Sequence, residues 1–272
     1  MEDDDLVRLG LVDDDEIILD EAALALALLD HPETDDAPYL DLFQAIVEAL
    51  EEAAATASAA EPDAEEQAEL LAQVIGGAFG FLGDRDTYDD SANADLIRVL
   101  DRRRGLPVSL SILYVSAARR MGWMANALDV PGHVLVLIGD KAAPIMIDPF
   151  RGGERVSQEQ LVTLLKAMHP GEGPAVRHVA AMPNRAVLVR LLLNQAKRAE
   201  AAGQGRRALT LFDRMTVIAP AYPHAWWELA RLQLVDGDIP AARKSLSAML
   251  EITREPDLRA RISETLGSLP AA

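Results

Sequence analysis

The chain has 272 residues, half of them hydrophobic, no cysteine and a formal net charge of −18. The missing thiol excludes disulfides, thiolate metal sites and cysteine nucleophiles, and the carboxylate excess opposes non-specific binding to nucleic acid or to anionic membranes. No apolar run approaches the ~18–20 residues that span a bilayer, and the start MEDDDLVRLG is acidic where a signal or transit peptide would be basic, so a soluble cytoplasmic protein is expected.

Aromatic residues are scarce, and alanine and leucine carry the apolar content, which favours helices over a β-sandwich. Charge is unevenly placed. Residues 1–100 hold 28 acidic and 3 basic side chains, against 16 and 23 in residues 101–272. This pattern reads as a solvated acidic surface, or as an acidic first half that docks on the basic second half.

In chain order, residues 1–19 read as an acidic disordered tail. Asp20 to about Leu29 is a short helix with Asp20 as its N-cap. Residues 38–55 and 64–79 carry helical periodicity on either side of ATASAAEPDA. GGAFGFLG (76–83) has the glycine density of a phosphate loop, but no Lys-Ser/Thr ending follows and no apolar strand precedes it, so that role is rejected. Asn93 lies near the start of a helix that runs to about Arg103. The next helix, PVSLSILYVSAARRMG, has Pro107 at its first position and Gly122 at its end. It is apolar on two faces, which predicts a largely buried helix. The basic residues of DRRRG (101–105), with Arg119 and Arg120, sit at helix C-termini, where they complement the helix dipole.

Residues His133–Ile138 and Ile145–Asp148 alternate as strands, GDKAAP interrupts them, and residues 122–130 add a third strand. A tight turn between Asp140 and Lys141 would pair Ile138 with Ala143 and His133 with Asp148. Directly opposed residues share a face with Cβ atoms about 4.5–5.5 Å apart, so a His–Asp contact is predicted. Pro149 ends the second strand. A further helix follows, with Ser157 as N-cap and Gln160 completing a capping box.

The last ~85 residues repeat at an offset of 34, the length of a tetratricopeptide unit. Leu193 corresponds to Trp227, Ala196 to Ala230, Gly203 to Gly237, Ala208 to Ala242 and Phe212 to Leu246. Pro220 closes the first copy, and residues 255–268 read as a capping helix. The expected fold class is therefore α+β, with a small antiparallel sheet on the 107–121 helix, followed by an all-α repeat module.

His133 held by Asp148 has the pattern of a general base oriented by a carboxylate. The same pair also reads as a hydrogen bond that closes a hairpin. Asn93 reads equally as a residue of the same cleft or as a helix cap. Trp226 and Trp227 are candidate binding residues, although core packing explains bulky residues there as well. His31, His169, His178 and His224 lack metal-type spacing, and nothing in the chain calls for a metal or an organic cofactor.

Three stretches carry a family resemblance: GFLGDRDTYDDSANADLIRVLDRRRGLPVSLSILYVSAARRMG, VPGHVLVLI and IDPFRGG. In order and spacing, and with repeats behind them, they resemble the SirB family of transglutaminase-like proteins, from about Ala22 onward. The resemblance implies a transglutaminase-like (papain-like) domain over 20–180 and tetratricopeptide-like repeats over 181–272. It also implies His133 and Asp148 as dyad positions, and it places the nucleophile at Pro107, fifteen residues before Gly122. Proline has no nucleophilic atom. Ser109 and Ser111 are the nearest hydroxyls, and both lie off the expected position.

The expectation is thus a non-catalytic or altered domain that binds a protein or peptide partner. The alternative is a hydrolase or amide-transfer enzyme that uses His133 and Asp148 without a thiol.

Overall fold

A computed structural model of the chain describes residues 3–57, 61–140, 143–168 and 180–270. They form two compact units. One is Asp14–Leu188, and the other combines Met1–Asp13 with Val189–Ala272. The boundary falls later than the expected 180/181 and inside a helix, and the first thirteen residues group with the repeats.

The elements before the sheet are α1 (Asp3–Leu11), α2 (Leu19–Leu28), α3 (Ala37–Ala57), α4 (Ala64–Leu71), β1 (Leu82–Gly83), α5 (Leu96–Arg102), β2 (Arg104–Gly105) and α6 (Pro107–Arg120). Asp63 caps α4 through a capping box with Glu66. Helix α4 then runs into a π-helical turn, Ala72–Ala78, so the helix expected over 64–79 changes its hydrogen-bond ladder at Ala72. The larger unit is organised round α6. Proline at its first position starts it without losing a hydrogen bond, and every residue from Pro107 to Ala118 is buried. Helices α2, α3 and α4 pack round it, together with two strands, β3 (Ala125–Val130) and β4 (His133–Ile138).

The sheet continues through β5 (Ile145–Asp148) and β6 (Glu154–Arg155) as an antiparallel meander in the order β3-β4-β5-β6. Strands β1 and β2 form a separate two-residue parallel pair. Helix α7 (Gln158–Met168) follows, and the expected capping box is present. Ser157 N–H donates to Gln160 Oε1 at 2.7 Å, and Gln160 N–H donates to Ser157 Oγ at 3.2 Å.

The β4–β5 register corrects the hairpin reading. Ile138 pairs with Ile145 and Val136 with Ile147, two residues further along the second strand than a tight turn between Asp140 and Lys141 would give. The connection is longer than that turn, and Lys141 and Ala142 lie outside the described residues. A shift of two leaves every side chain on its face, whereas a shift of one would invert them all. His133 and Asp148 therefore remain on one face, as diagonal rather than direct neighbours.

Two capping expectations are also corrected. The N-cap of α2 is Ile18, with no side-chain bond. Asp20 lies inside the first turn, 2% exposed, where its N–H donates to Ser116 Oγ and its carboxylate pairs with Arg120 at 3.1 Å. The cap of α5 is Asp95, which accepts from Arg98 N–H at 3.2 Å, and Asn93 lies buried just ahead of it. In both places tertiary partners on α6 or the adjoining loop outbid the local capping preference.

The repeat unit contains the main part of α8 (Asn184–Ala201), then α9 (Gly205–Ile218), α10 (Pro223–Val235), α11 (Ile239–Ile252) and the capping helix α12 (Pro256–Ser268). Gly203 and Gly237 have φ of 72° and 80° at the two inter-helix turns, a left-handed conformation that glycine adopts without a Cβ penalty. Ala196, Ala208, Ala230 and Ala242 are all buried at the helix contacts. Trp226 and Trp227 pack half-buried against Ala230, Leu246, Met249 and Ile262. Trp226 Nε1–H also donates to the Pro220 carbonyl at 2.8 Å, so both rings belong to the repeat core.

Where a disordered tail is expected over 1–19, the structure has α1. Leu6 is buried, and α1 packs on α9. The contact is close: a Cβ on Gly10 would stand 2.3 Å from the Val217 carbonyl oxygen. Two repeats fall short of the ~3 that usually stack stably, and α1 adds apolar cover to them.

Two outcomes follow from this packing. Gly10→Val should release α1 at a cost of ~1–3 kcal/mol, the usual range for overpacking. Hydrogen exchange would then speed up over residues 6–11, and unchanged exchange would show that α1 is held by something else. Arg120→Met strands the Asp20 carboxylate. Breaking a fully buried pair costs about 3–5 kcal/mol, and with Arg120 one-third exposed a loss of roughly 2 kcal/mol is expected by urea denaturation.

Candidate functional site

The site lies at the end of the sheet where β4 begins and β5 stops. Along β4, Leu135 clusters with Leu128 and Val130 of β3, and Leu137, Met146, Val156 and Leu161 of α7 pack on them. His133 and Asp148 project from this same α7-covered face by strand alternation. Val134, Val136 and Ile138 are buried on the opposite face, which leaves that face for α6.

His133 Nε2 and Asp148 Oδ1 are 2.9 Å apart, with the side chains 18% and 6% exposed. An ionised carboxylate only accepts, so Nε2 is the donor and Nδ1 is the ring's acceptor in neutral histidine. Asp148 Oδ1 also accepts the Phe150 N–H at 3.0 Å, and Arg151 Nε lies 3.6 Å from Oδ2. The Phe150 ring stands edge-on to His133 at 6.0 Å and to Tyr88 at 5.8 Å, both between ring centroids.

The pair opens on a cleft of about 1000 Å³. Its walls come from Arg85, the Phe150–Arg151 turn, β6 and the first turns of α7 through Ser157, Gln160 and Thr163. Arg155 there pairs with Glu65. No α6 residue lines this cleft. Pro107 is buried at the helix start. Ser109 Oγ donates to the Asn93 carbonyl at 2.8 Å, and Ser111 Oγ donates to the Pro107 carbonyl at 2.7 Å. Both hydroxyls are fully buried and committed to backbone.

Asn93 is likewise fully buried and does not reach the cleft. Its Nδ2 donates to the Thr87 carbonyl at 2.6 Å, and its Oδ1 accepts from Arg102 at 3.1 Å. Arg102 also reaches Asp84 at 2.9 Å. Asp84 in turn accepts from the Thr87 hydroxyl at 2.6 Å and from Thr87 N–H at 2.8 Å. Those two bonds first, then Asn93 and Arg102, hold the Asp84 carboxyl far below its ordinary range, against burial, which raises it. This network shapes the loop that carries Arg85 to the cleft and Tyr88 to the Phe150 ring.

Of the site residues read from sequence, the structure brings together only His133 and Asp148. Arg85, Phe150 and Arg151 carry no signal of their own in the sequence, although all three lie within the stretches that carry the family resemblance. Burial first, then the Asp148 charge, raises the Tyr114 phenol, which lies buried on α6. His31 pairs with Asp95 at 2.6 Å, and His224 stacks edge-on with Tyr222. His169 and His178 lie outside the described residues. Among the described residues no group of three or more His, Asp or Glu is arranged to hold a metal, and no helix is long and apolar enough to cross a membrane.

Comparison with known proteins gives matches over both units. A model of the transglutaminase-like superfamily matches residues 40–193, and a tetratricopeptide repeat model matches residues 199–262. A UPF0162 protein of Xylella fastidiosa (strain 9a5c) is 31% identical over 250 residues, which cover 90% of this chain and 87% of that one. A UPF0162 protein of Vibrio cholerae is 35% identical over 117 residues, 42% of this chain and 43% of the other. Human F-box only protein 21 is 26% identical over 151 residues, 53% of this chain and 23% of that protein.

The depressed Asp84 carboxyl sets a pH dependence. Its contribution to stability is complete above the ordinary value of 3.8 and is lost as pH falls through the folded value. Asp84→Asn should therefore unfold more easily than the parent at pH 7, and the gap should close as pH drops below about 4. A gap that stays constant from pH 7 to pH 3 in urea titrations would remove Asp84 from this account.

Proposed function

The chain belongs to the transglutaminase-like superfamily, and from that premise we propose that its domain is a non-catalytic binding and regulatory module for a protein or peptide partner. One observation carries the reading. His133 and Asp148, which the family resemblance implies as dyad positions, stand 2.9 Å apart in a chain that has no cysteine, and the resemblance puts Pro107 at the nucleophile's place. A base with nothing to deprotonate makes no acyl intermediate. Ser109 and Ser111 offer no substitute, because each donates to a backbone carbonyl in the core. Tetratricopeptide repeats generally mediate protein–protein contacts, since stacked helix pairs present concave surfaces to peptides. The partner is engaged at the cleft, at the repeats, or at both.

A specific feature favours a second reading. A pair that only closed a hairpin would need no access, yet His133 opens on a cleft at the upper end of the size range of ligand pockets. In this reading His133, oriented by Asp148, activates water as a hydrolase or takes a proton in amide transfer.

Turnover separates the two. The parent and His133→Ala should be equally inert towards ester, amide and peptide libraries from pH 5 to pH 9. Hydrolysis by the parent that His133→Ala abolishes, with the fold retained, would replace the first reading by the second. For binding, Thr163→Trp places bulk at an exposed cleft position. It should reduce capture of a cleft-bound partner at least tenfold, about 1.4 kcal/mol. Undiminished capture would assign binding to the repeats.

A further inference from the structure

The turn that follows β5 is held by close backbone approaches. A Cβ on Gly76, in the π-helical turn, would lie 2.4 Å from the Gly152 carbonyl oxygen and 2.9 Å from its carbon. A Cβ on Gly83, in β1, would lie 2.3 Å from the Phe150 ring. From the other side, a Cβ on Gly153 would meet Ala72 at 2.7 Å. Real Cβ atoms do not approach that closely, so the stretch 149–153 fits against 72–83 only because these positions lack a side chain.

That stretch carries the site. The Phe150 N–H and the His133 Nε2–H both donate to one oxygen of Asp148, at 3.0 and 2.9 Å. The Phe150 ring also stands edge-on to the imidazole. Displacing the ring or its peptide therefore alters the carboxylate and the imidazole together. The π-helical ladder of Ala72–Ala78 resets the helix phase just before Gly76 meets Gly152. Such bulges often occur beside functional sites.

We infer that Gly76 and Gly83 are positioning residues for the His133–Asp148 pair. The stretch GGAFGFLG, which lacks the features of a phosphate loop, is the surface on which the Asp148–Gly153 turn is set. This goes beyond the proposed function and holds whether the pair binds or catalyses. The charged groups that line the cleft with His133 (Arg85, Asp148, Arg151, Glu154, Arg155 and Glu159) are left unchanged by substitutions at 76 and 83.

The test reads the His133 imidazole directly. The full chain is labelled with 15N, the His133 ring signals are assigned by their loss in His133→Ala, and the ring is titrated by NMR. In Gly83→Ala that keeps a folded amide spectrum, the His133 midpoint should move by at least about half a pH unit, with changed ring shifts. The same substitution in a Phe150→Leu background should move it little, because the obstructing ring is gone. A folded Gly83→Ala with an unaltered His133 titration and only a lower melting temperature would reduce the glycines to packing and overturn the inference. If Gly83→Ala does not fold, Gly76→Ala in the Phe150→Leu background is read instead: a His133 midpoint moved from that of Phe150→Leu supports the inference, and an unmoved one overturns it. Gly76→Ala, which meets backbone rather than a ring, should disturb His133 in either background.

Discussion

The larger unit depends on a helix that shows no face to water. From Pro107 to Ala118 every side chain of α6 is buried. A helix buried on all sides needs neighbours on all sides, and α2, α3, α4 and the sheet supply them. Burying an aliphatic side chain contributes about 1.5–3 kcal/mol, and α6 buries Val108, Leu110, Ile112, Leu113 and Val115 against those neighbours. Polar groups within it are costly unless bonded. Ser109 and Ser111 are satisfied by carbonyls, and Ser116 accepts from Asp20 N–H. The same need that silences the serines as nucleophiles keeps the core intact.

The site sits where that packing runs out. On the α7 side of the sheet the apolar cluster ends at His133 and Asp148, and the rim beyond is guanidinium, carboxylate and hydroxyl. Two supports hold the rim. One is the network of Asp84, Asn93, Arg102 and Thr87 behind the 84–90 loop. The other is the glycine contact beneath the 149–153 turn. Neither support includes His133 or Asp148; the network holds the loop of Arg85 and Tyr88, and the glycine contact sets Phe150.

Much of this was legible in the residues. The 3.6-residue period of PVSLSILYVSAARR, apolar on two faces, marked a core helix, and SQEQ marked a helix start. The 34-residue spacing of alanines and glycines marked the paired helices. His133 and Asp148 could be matched from strand alternation, because a hairpin of either loop length in the same parity puts them on one face. The exact register was not legible, since it depends on a connection whose length only the folded chain reveals. Asp20 and Asn93 were misplaced for a related reason. Each has a strong local preference for capping, and each found a stronger partner far along the chain, Arg120 for one and Thr87 with Arg102 for the other. The acidic start was read from charge alone, and Leu6 with Gly10, which seat α1 on α9, carry no signal at that level.

The core helix, the sheet strands, the repeats, the family and the absence of a thiol were thus set by residue chemistry and by periods within one segment, whereas the helix at the acidic start was not. Tertiary structure decided which polar groups became unreachable and which opened on a cleft. It buried Asn93, Ser109 and Ser111, left His133 open, and made GGAFGFLG a contact surface. Accessibility belongs to the assembled surface, where segments tens of residues apart compete for the same space, and no local pattern encodes the result of that competition.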